Sequence, residues 1–415
     1  MLVPVTVAGA NDDLYNGKLL WAEENQEPPF ARSEILDHYD VIIVGGGISG
    51  ALCAYSLAAE GLSVAVIDRG TVGGGSTSAN MGLLQYSSDI MLHELIEQIG
   101  RDKAIRFYKL CQQALNQLHE IADTLDVSAE FTRRNSLYFA SERSHVDRLK
   151  KEYDLLTAHG FKVDYWTQDD LLSYYPFSKP AALITYRDAE VNPVRLSRGI
   201  LHKLNGRHVH VFEHVHVTGI EETVHHLKVH TSAGLFQCSQ VIFATGYDTA
   251  PGLTEARVNL TRSYAIATEP VDDLSFWKDR VLIWETRRPY LYLRTTPDGR
   301  IIAGGLDEDK PGTPHSDAFI HKRAENIKQE VHQLFPMLNL KIAFAWAAVF
   351  GQSVDSLPFI GRHPSKERIY YLLGYGGNGT VYSMVGAHIL RDLIMGRPNP
   401  DADIVKLARG IDSTE

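Results

Sequence analysis

The chain has 415 residues, of which 44% are hydrophobic and 22% charged, and its formal net charge at pH 7 is −10. This length allows two or three units with separate hydrophobic cores, and the composition is that of an ordinary globular protein. The negative charge argues against nucleic acid or an anionic membrane as a partner, and no apolar run outside the first βα unit reaches the length of a membrane span.

Residues 1–38 precede the first clear strand, and we expect them to form an extension that packs over the surface, with Leu19 and Trp21 as anchors. The start of the chain lacks the basic segment of a signal peptide. The three cysteines are scattered, with no metal or redox spacing, which is typical of small core residues in a reduced protein. These features predict a cytoplasmic location.

A strand, a glycine turn and a helix follow one another at the start of the next segment. Residues 41–44 are a β-branched apolar run, typical of a strand buried on both faces. The spacing G-x-G-x-x-G at 45–50 leads into an apolar helix over 51–58. A second apolar strand, 64–67, ends in Asp68, which comes about 20 residues after the glycines and can accept hydrogen bonds from a ribose. Together these elements predict a dinucleotide site whose pyrophosphate meets the helix N-terminus.

Residues 70–82 form a second segment rich in glycine and hydroxyl side chains. We expect a loop that offers backbone and side-chain donors to a cofactor. A flexible glycine–serine linker is the alternative.

The middle of the chain mixes predicted helices and strands. Residues 90–125 have helical apolar spacing, and residues 96–191 carry no further phosphate-type loop. Pro297-Asp298-Gly299, between the apolar runs 290–294 and 300–303, predicts a β-hairpin. We therefore expect a substrate-side domain with an antiparallel sheet. The histidine-rich stretch 202–230 alternates with valines, which indicates solvated strand faces rather than a metal site.

A second glycine-rich turn, Gly374–Thr380, stands between an apolar strand at 369–373 and a helix over 385–395. A helix that begins here directs its positive end toward whatever lies before it. This turn is therefore a candidate site for an anionic group of the same cofactor.

Four segments of the chain resemble the FAD-dependent amine and amino-acid oxidoreductases related to D-amino-acid oxidase, glycine oxidase and sarcosine oxidase. They are VIIVGGGISG with Asp68, GGGSTSANMGLL, VIFATGY, and DSLPFIGRHP followed by YYLLGYGGNGT. The N-terminal extension and the segments DAEVNPVRL and YLYLRTTPDGRIIAGG look most like the gamma-glutamylputrescine oxidoreductase branch.

The resemblance implies an α/β fold, with a Rossmann-like FAD-binding domain of the glutathione-reductase type and a discontinuous α+β substrate domain built on an antiparallel sheet. The domains are expected at 39–95, 192–258 and 341–402 for FAD, at 96–191 and 259–340 for the substrate, and at 403–415 for a C-terminal tail.

The cofactor implied is FAD held without a covalent bond, because Ala79 and Val349 stand where covalently flavinylated relatives carry His or Cys. The residues that the resemblance assigns to FAD are Gly45, Gly47, Ile48, Ser49, Gly50, Asp68, Arg69, Ser76, Thr77, Ser78, Asn80, Met81, Gly82, Leu83, Val217, Ala244, Thr245, Gly246, Gly376, Gly377, Asn378, Gly379 and Thr380.

The substrate side is less defined by the sequence. Its candidates are Tyr292, Arg294, Tyr375 and Gln352. The arginines that clamp a substrate carboxylate in glycine-oxidase-like relatives have no counterpart near Phe350 and Gly377, although Arg262, Arg287 or Arg294 could rebuild such a clamp. The strand that contains Ile302 lacks the oxygen-activating lysine of sarcosine-oxidase-like relatives, so oxidase and dehydrogenase both stay open.

The predicted reaction is oxidation of the C–N bond of an amine or of a secondary or D-amino acid, by hydride transfer from Cα to flavin N5, followed by hydrolysis of the imine. One alternative is an NAD-dependent dehydrogenase, because Asp68 suits NAD as well as FAD. Another is a non-catalytic flavin-binding subunit of a larger complex. A yellow protein whose flavin is reduced by an amine without oxygen would exclude both. The expected partner is a small-molecule substrate, and the oligomeric state stays open.

Overall fold

Two β-sheets, each packed against helices, organise the chain in the computed structural model. The structure describes residues 2–4, 14–24, 28–30, 33–87, 89–247, 258–310, 312–313, 316–374 and 376–409. The strands are β1 Leu2–Pro4, β2 Tyr15–Lys18, β3 Tyr39–Val44, β4 Val64–Ile67, β5 Leu83–Leu84, β6 Thr132–Phe139, β7 Val163–Thr167, β8 Ala181–Glu190, β9 Val209–Phe212, β10 Val217–Glu222, β11 Leu227–Thr231, β12 Gly234–Phe243, β13 Val258–Thr268, β14 Leu282–Glu285, β15 Leu291–Thr295, β16 Ile301–Glu308, β17 Ile342–Ser353, β18 Phe359–Arg362 and β19 Ile369–Leu373. The α-helices are α1 Leu20–Glu24, α2 Ile48–Ala58, α3 Gly75–Ala79, α4 Leu92–Ile99, α5 Arg101–Asp123, α6 Val146–Ala158, α7 Gln168–Leu172, α8 Pro193–Leu204, α9 Asp317–Leu334, α10 Gly379–Ile394 and α11 Ala402–Val405.

The first sheet has the strand order β1-β10-β11-β12-β3-β4-β9, with β19 beside β12 and β18 beside β19. Strands β12, β3, β4 and β9 run parallel, and so do β12 and β19. The apolar runs of β3 and β4 are buried, as expected where both faces of a parallel sheet are covered. Helices α2 and α10 belong to the same hydrophobic core as these strands. The predicted Rossmann-like unit is confirmed.

The second sheet has the order β2-β17-β13-β16-β15-β14-β6-β8-β5, with β7 beside β8. Its pairs are antiparallel except β14 with β6. Helix α9 packs on this sheet through a separate core. The α+β domain with an antiparallel sheet is therefore present, with one parallel pair that the sequence did not indicate.

Three elements differ from the sequence-based expectations. Strand β17 pairs with β13 in the second sheet, although residues 341–402 were expected to belong to the FAD-binding domain. The helical stretch 90–125 is divided into α4 and α5 at Gly100, whose φ of 86° interrupts the helix. The segment 70–82, expected as a loop, contains the short helix α3. In each case pairing or backbone geometry overrides the local composition.

The N-terminal extension joins both sheets instead of only covering them. Strand β1 pairs with β10, and β2 pairs with β17. The predicted anchors Leu19 and Trp21 are buried, and the Trp21 indole N–H donates to the backbone oxygen of Asn80 at 2.6 Å. The extension therefore packs against the glycine- and hydroxyl-rich segment 70–82.

None of the described helices combines the length and the apolarity that crossing a membrane requires. In the same part of the chain, no three His, Cys, Asp or Glu side chains are grouped closely enough to hold a metal ion.

Candidate active site

One cavity of about 550 Å³ is lined by residues of both sheets. The glycine turns at 45–50 and 374–380 both open into it. The side-chain oxygens of Ser49 in α2 and Ser383 in α10 lie 2.7 Å apart, although 334 residues separate them in sequence. The fold therefore brings the two turns to one site, as the sequence predicted.

Glycine is required in the first turn for steric reasons. A Cβ at Gly45 would lie 2.4 Å from the backbone oxygen of Ala244, and φ at this residue is +110°. A Cβ at Gly50 would lie 1.9 Å from the backbone oxygen of Gly45. A Cβ at Gly47 would lie 2.9 Å from the side-chain oxygen of Thr77, and both residues line the cavity. These glycines therefore allow the backbone to pack closely around the start of α2, whose first residues line the cavity.

Asp68 lies at the carboxyl end of β4 and lines the cavity. Its Oδ2 accepts the N–H of Gly46 at 2.6 Å and its Oδ1 accepts the N–H of Gly70 at 2.8 Å. Burial raises the pKa of this carboxyl, and the two backbone donors act in the opposite direction. A carboxylate has about four lone-pair sites, so Asp68 can still accept hydrogen bonds from a ribose. Arg69 and Val217 line the cavity as well.

Two buried hydroxyl groups support a cofactor in this cavity. The side-chain oxygens of Thr245 and Thr380 have no hydrogen-bond partner among the described residues, and both residues line the cavity. Buried polar groups are normally paired. A ligand rich in acceptors, such as a dinucleotide with a flavin ring, would supply partners. The residues present therefore fit FAD.

Most of the predicted FAD contacts line the cavity. They are Gly45, Gly47, Ile48, Ser49, Asp68, Arg69, Ser76, Thr77, Asn80, Met81, Leu83, Val217, Ala244, Thr245, Gly246, Gly376, Gly377, Gly379 and Thr380. Four lie behind the wall instead: Gly50, Ser78, Gly82 and Asn378. The Ser78 hydroxyl, for example, donates to the backbone oxygen of Gly75, and the Asn378 side chain bonds the backbone of Gln85. Their contact with FAD stays a prediction, and in the structure they support the wall of the cavity.

Among the substrate-side candidates, Tyr292 lines the cavity and Arg294 does not. The guanidinium of Arg294 is buried and donates to the backbone oxygens of Met81 at 2.6 Å, Val191 at 3.0 Å and Thr295 at 3.0 Å. Tyr292 and Arg294 share a strand face, but Arg294 is one step farther along, where other backbone segments cover it. Its expected substrate contact stays a prediction that this placement does not support, and in the structure its guanidinium ties the strand to the segment at Met81.

The remaining candidates also lie elsewhere. The Gln352 amide donates to the Ser356 hydroxyl at 3.1 Å and is not part of the cavity wall. Tyr375 lies outside the described residues. Arg262 pairs with Glu308, and Arg287 pairs with Glu285 and Glu330. None of these described arginines faces the cavity, so a carboxylate clamp built from them is not present.

The part of the cavity lined by Tyr290 and Tyr292 is its substrate-side end. The sequence did not reveal two carboxyl groups there, those of Asp89 and Asp307. Asp89 Oδ1 accepts the Tyr290 hydroxyl at 3.0 Å, and Asp89 Oδ2 accepts the Gly377 N–H at 2.6 Å. Burial, together with the nearby charge of Asp89, raises the pKa of Asp307 to about 6, although a hydrogen bond from the Ser263 hydroxyl acts in the opposite direction. Asp89 stands in a segment without a motif, so no local signal marked it. Asp307 follows Gly304 and Gly305 near the end of the predicted hairpin. These two glycines were the one sequence feature that could have drawn attention to it.

Comparisons with known proteins agree with this geometry. The family model described as FAD dependent oxidoreductase, DAO, matches residues 40–393. Glycine oxidase of Bacillus subtilis (strain 168) is 26% identical over 372 residues, which cover 87% of this chain and 94% of the relative. Gamma-glutamylputrescine oxidoreductase of Escherichia coli (strain K12) is 23% identical over 403 residues, or 90% of this chain and 88% of the relative.

Solved structures show the same fold. Glycine oxidase from Geobacillus kaustophilus has a TM-score of 0.78 at 20% identity. The superposition covers 91% of this chain and 100% of the oxidase chain. L-amino acid deaminase from Proteus vulgaris has a TM-score of 0.76 at 14% identity. The superposition covers 92% of this chain and 100% of the deaminase chain. At these identities the likeness concerns the fold alone.

Proposed function

Since the chain belongs to the DAO family of FAD-dependent oxidoreductases, we propose that it oxidises the carbon–nitrogen bond of an amine or amino acid. The observation that carries this proposal is the single cavity in which two glycine turns meet a pocket of tyrosines and carboxyl groups. The names of its relatives, glycine oxidase and gamma-glutamylputrescine oxidoreductase, support the same class of donor. They give no support to an NAD-dependent dehydrogenase or to a non-catalytic flavin-binding subunit.

The chain offers a distinct set of residues to each part of FAD. Gly45, Gly47 and the first N–H groups of α2 would hold the pyrophosphate, where the helix dipole favours negative charge. Asp68 would accept hydrogen bonds from the adenosine ribose. Thr380, in the first turn of α10, would donate to the flavin. Ala79 and Val349 provide no side-chain atom for a covalent bond to the cofactor, so non-covalent binding is part of the proposal.

When bound, FAD supplies the two-electron acceptor for the hydrogen on the carbon beside the amine nitrogen. The chain contributes binding, orientation and exclusion of water. Tyr290 and Tyr292 line the substrate-side end, with ring centroids 5.3 Å apart, and Trp284 lines the same cavity. These rings provide an apolar wall against which the substrate carbon is held.

The test is anaerobic reduction of the flavin. The purified protein is expected to be yellow and to release FAD into solution on denaturation. It is then mixed without oxygen with amines, N-methyl amino acids and D-amino acids, and at least one class should bleach the flavin. Absence of FAD, or a flavin that none of these compounds reduces, would contradict the proposal. Mixing the reduced protein with oxygen or with a quinone acceptor then separates an oxidase from a dehydrogenase. We also propose a cytoplasmic location, which the three buried free cysteines support.

A further inference from the structure

We infer that the substrate-side end of the cavity selects an amine with a second positive charge, of the α,ω-diamine and polyamine class, over a zwitterionic amino acid. This inference rests on the proposed function and narrows its substrate class.

Two carboxyl groups dominate the charge at this end. Asp89 is held by neutral donors, the Tyr290 hydroxyl and the Gly377 N–H, which fix its position without cancelling its charge. Asp307 Oδ1 is buried and has no hydrogen-bond partner within the described part of the chain. A buried carboxylate oxygen without a hydrogen-bond partner is costly unless a cation or a donor approaches it. Both residues line the cavity, so a ligand there can meet this requirement.

No lysine lines the described cavity, and its one lining arginine, Arg69, follows Asp68 at the ribose-binding end. Arg288, an exposed residue, places a cation beside Asp89 and Tyr290 at the substrate-side end. Its guanidinium donates to the backbone oxygens of Asp89 at 3.0 Å and Arg287 at 3.1 Å and stacks on Tyr290 at 4.6 Å. If its charge offsets one carboxylate, a net charge of about −1 remains for the substrate to match.

The chemistry of amine oxidation indicates which part of the substrate can match this remaining negative charge. The nitrogen beside the oxidised carbon must have a free lone pair, so it is neutral when it reacts. A monoamine in this state offers the carboxylates no positive charge. An α,ω-diamine keeps an ammonium group at its other end, which can bind both carboxylates and the faces of Tyr290 and Tyr292.

An amino acid fits this end poorly. Its carboxylate would face Asp89 and Asp307 without an arginine to neutralise it, and like charges at close range cost several kcal/mol in recognition. The charge of the pocket therefore disfavours amino acids, whose carboxylate an arginine clamp would bind.

Three compounds with the same four-carbon spacing test the inference: 1,4-diaminobutane, n-butylamine and 4-aminobutanoate. They differ only in whether the far end is positive, neutral or negative. The rate of anaerobic flavin reduction at low concentration is measured with the FAD-loaded protein. We expect the diamine to react at least about tenfold faster than the monoamine, the usual effect of one charge-assisted hydrogen bond, and the aminobutanoate to react most slowly.

Asp89→Asn and Asp307→Asn are the test variants, because asparagine keeps the size of the side chain and removes the charge. At position 89 the amide oxygen can accept the Gly377 N–H while the NH₂ group donates to the Tyr290 hydroxyl oxygen. Each test variant should reduce the preference for the diamine over the monoamine about tenfold. Asp309→Asn is the matched control: it removes the same charge from an exposed residue just beyond β16. A preference for 4-aminobutanoate in the wild type, or a preference for the diamine that neither test variant changes, would overturn the inference.

A binding measurement separates this inference from the proposed function. With the flavin reduced beforehand by dithionite, no amine can be oxidised, and calorimetry reports binding alone. We expect 1,4-diaminobutane to bind the wild type at least about tenfold more tightly than either test variant. If no amine reduces the flavin but this difference is found, the proposed function fails and the cation site stands. If amino acids reduce the flavin and the diamine does not bind, the cation site alone is refuted.

Discussion

The side-chain oxygens of Ser49 and Ser383 lie 2.7 Å apart and fix the first turns of α2 and α10 against each other. Each helix begins at a glycine-rich turn, and both turns line one cavity. Two helix N-termini thus face one ligand, which suits a cofactor with a pyrophosphate at one end and a flavin ring at the other.

Gly50→Ala should abolish FAD binding and lower stability. The added Cβ would lie 1.9 Å from the backbone oxygen of Gly45, so the turn and α2 must separate. The FAD content of the purified protein and its thermal unfolding curve measure both effects. Gly70→Ala is the control in the same cleft, since its Cβ would have an ordinary contact of 3.7 Å to Asp68. Equal FAD content in the two variants would contradict the steric argument.

The parts of this site that sequence could predict are local. The glycine spacing at 45–50 and the buried runs of β3 and β4 specify a strand–turn–helix unit without help from distant residues. The meeting of Asp89 with Gly377, and of Arg294 with Met81 and Val191, depends on how separate segments assemble. Strand β17 illustrates the limit, because its apolar pattern fits either sheet and only its pairing with β13 decides between them.

Thr380→Val should weaken FAD binding without harming the cofactor-free protein. The Thr380 side-chain oxygen is buried and has no partner among the described residues, so valine removes an unsatisfied group from the protein alone. In the complex it removes a donor, which corresponds to about 2–10-fold in the Kd for FAD. Fluorescence titration of the cofactor-free protein with FAD gives this constant.

Thr295→Val is the matched control for Thr380→Val. Its hydroxyl is also buried and unpartnered within the described residues, but Thr295 lies outside the cavity wall. We expect an unchanged Kd for FAD in this variant. Equal weakening in both variants would show that the Thr380 hydroxyl does not contact the cofactor.

Arg294→Met should destabilise the fold by about 3 kcal/mol, the usual cost of removing one partner from a buried charged network. Three backbone oxygens lose their donor, and Glu190, at 3.8 Å, loses a neighbouring cation. FAD content should fall with stability, since Arg294 holds the oxygen of Met81, whereas the Kd for substrate in the fraction that retains FAD should not change. Denaturant unfolding and calorimetry measure the two quantities.

Arg397→Met serves as the surface control for Arg294→Met. Arg397 pairs with Glu60 on the surface, and its loss should change the unfolding free energy far less. A normal unfolding free energy for Arg294→Met combined with weaker substrate binding would restore Arg294 to the substrate site.

Asp307→Asn should stabilise the FAD-loaded, substrate-free protein above pH 6. Burial raises the pKa of Asp307 from 3.8 to about 6, so between these values the folded state binds more protons than the unfolded state. The unfolding free energy of the wild type therefore falls as pH rises through this window. Asparagine does not titrate, so the variant lacks this decrease. We expect a gain on the order of 1–2 kcal/mol at pH 8, allowing for partial exposure, and none at pH 3.5.

Asp188→Asn provides the contrast, because the pKa of this buried carboxyl is also raised to about 6. Asp188 accepts hydrogen bonds from the Ser136 hydroxyl at 2.6 Å, the Thr185 hydroxyl at 2.8 Å and the Tyr86 N–H at 3.0 Å. An amide would direct its NH₂ group at one of these donors, so this variant should lose about 1–3 kcal/mol. The unfolding of both variants is measured at pH 8. Stabilisation at Asp307 with destabilisation at Asp188 identifies Asp307 as a carboxyl whose buried Oδ1 is kept for a cationic ligand, and a loss of stability at both would refute that role.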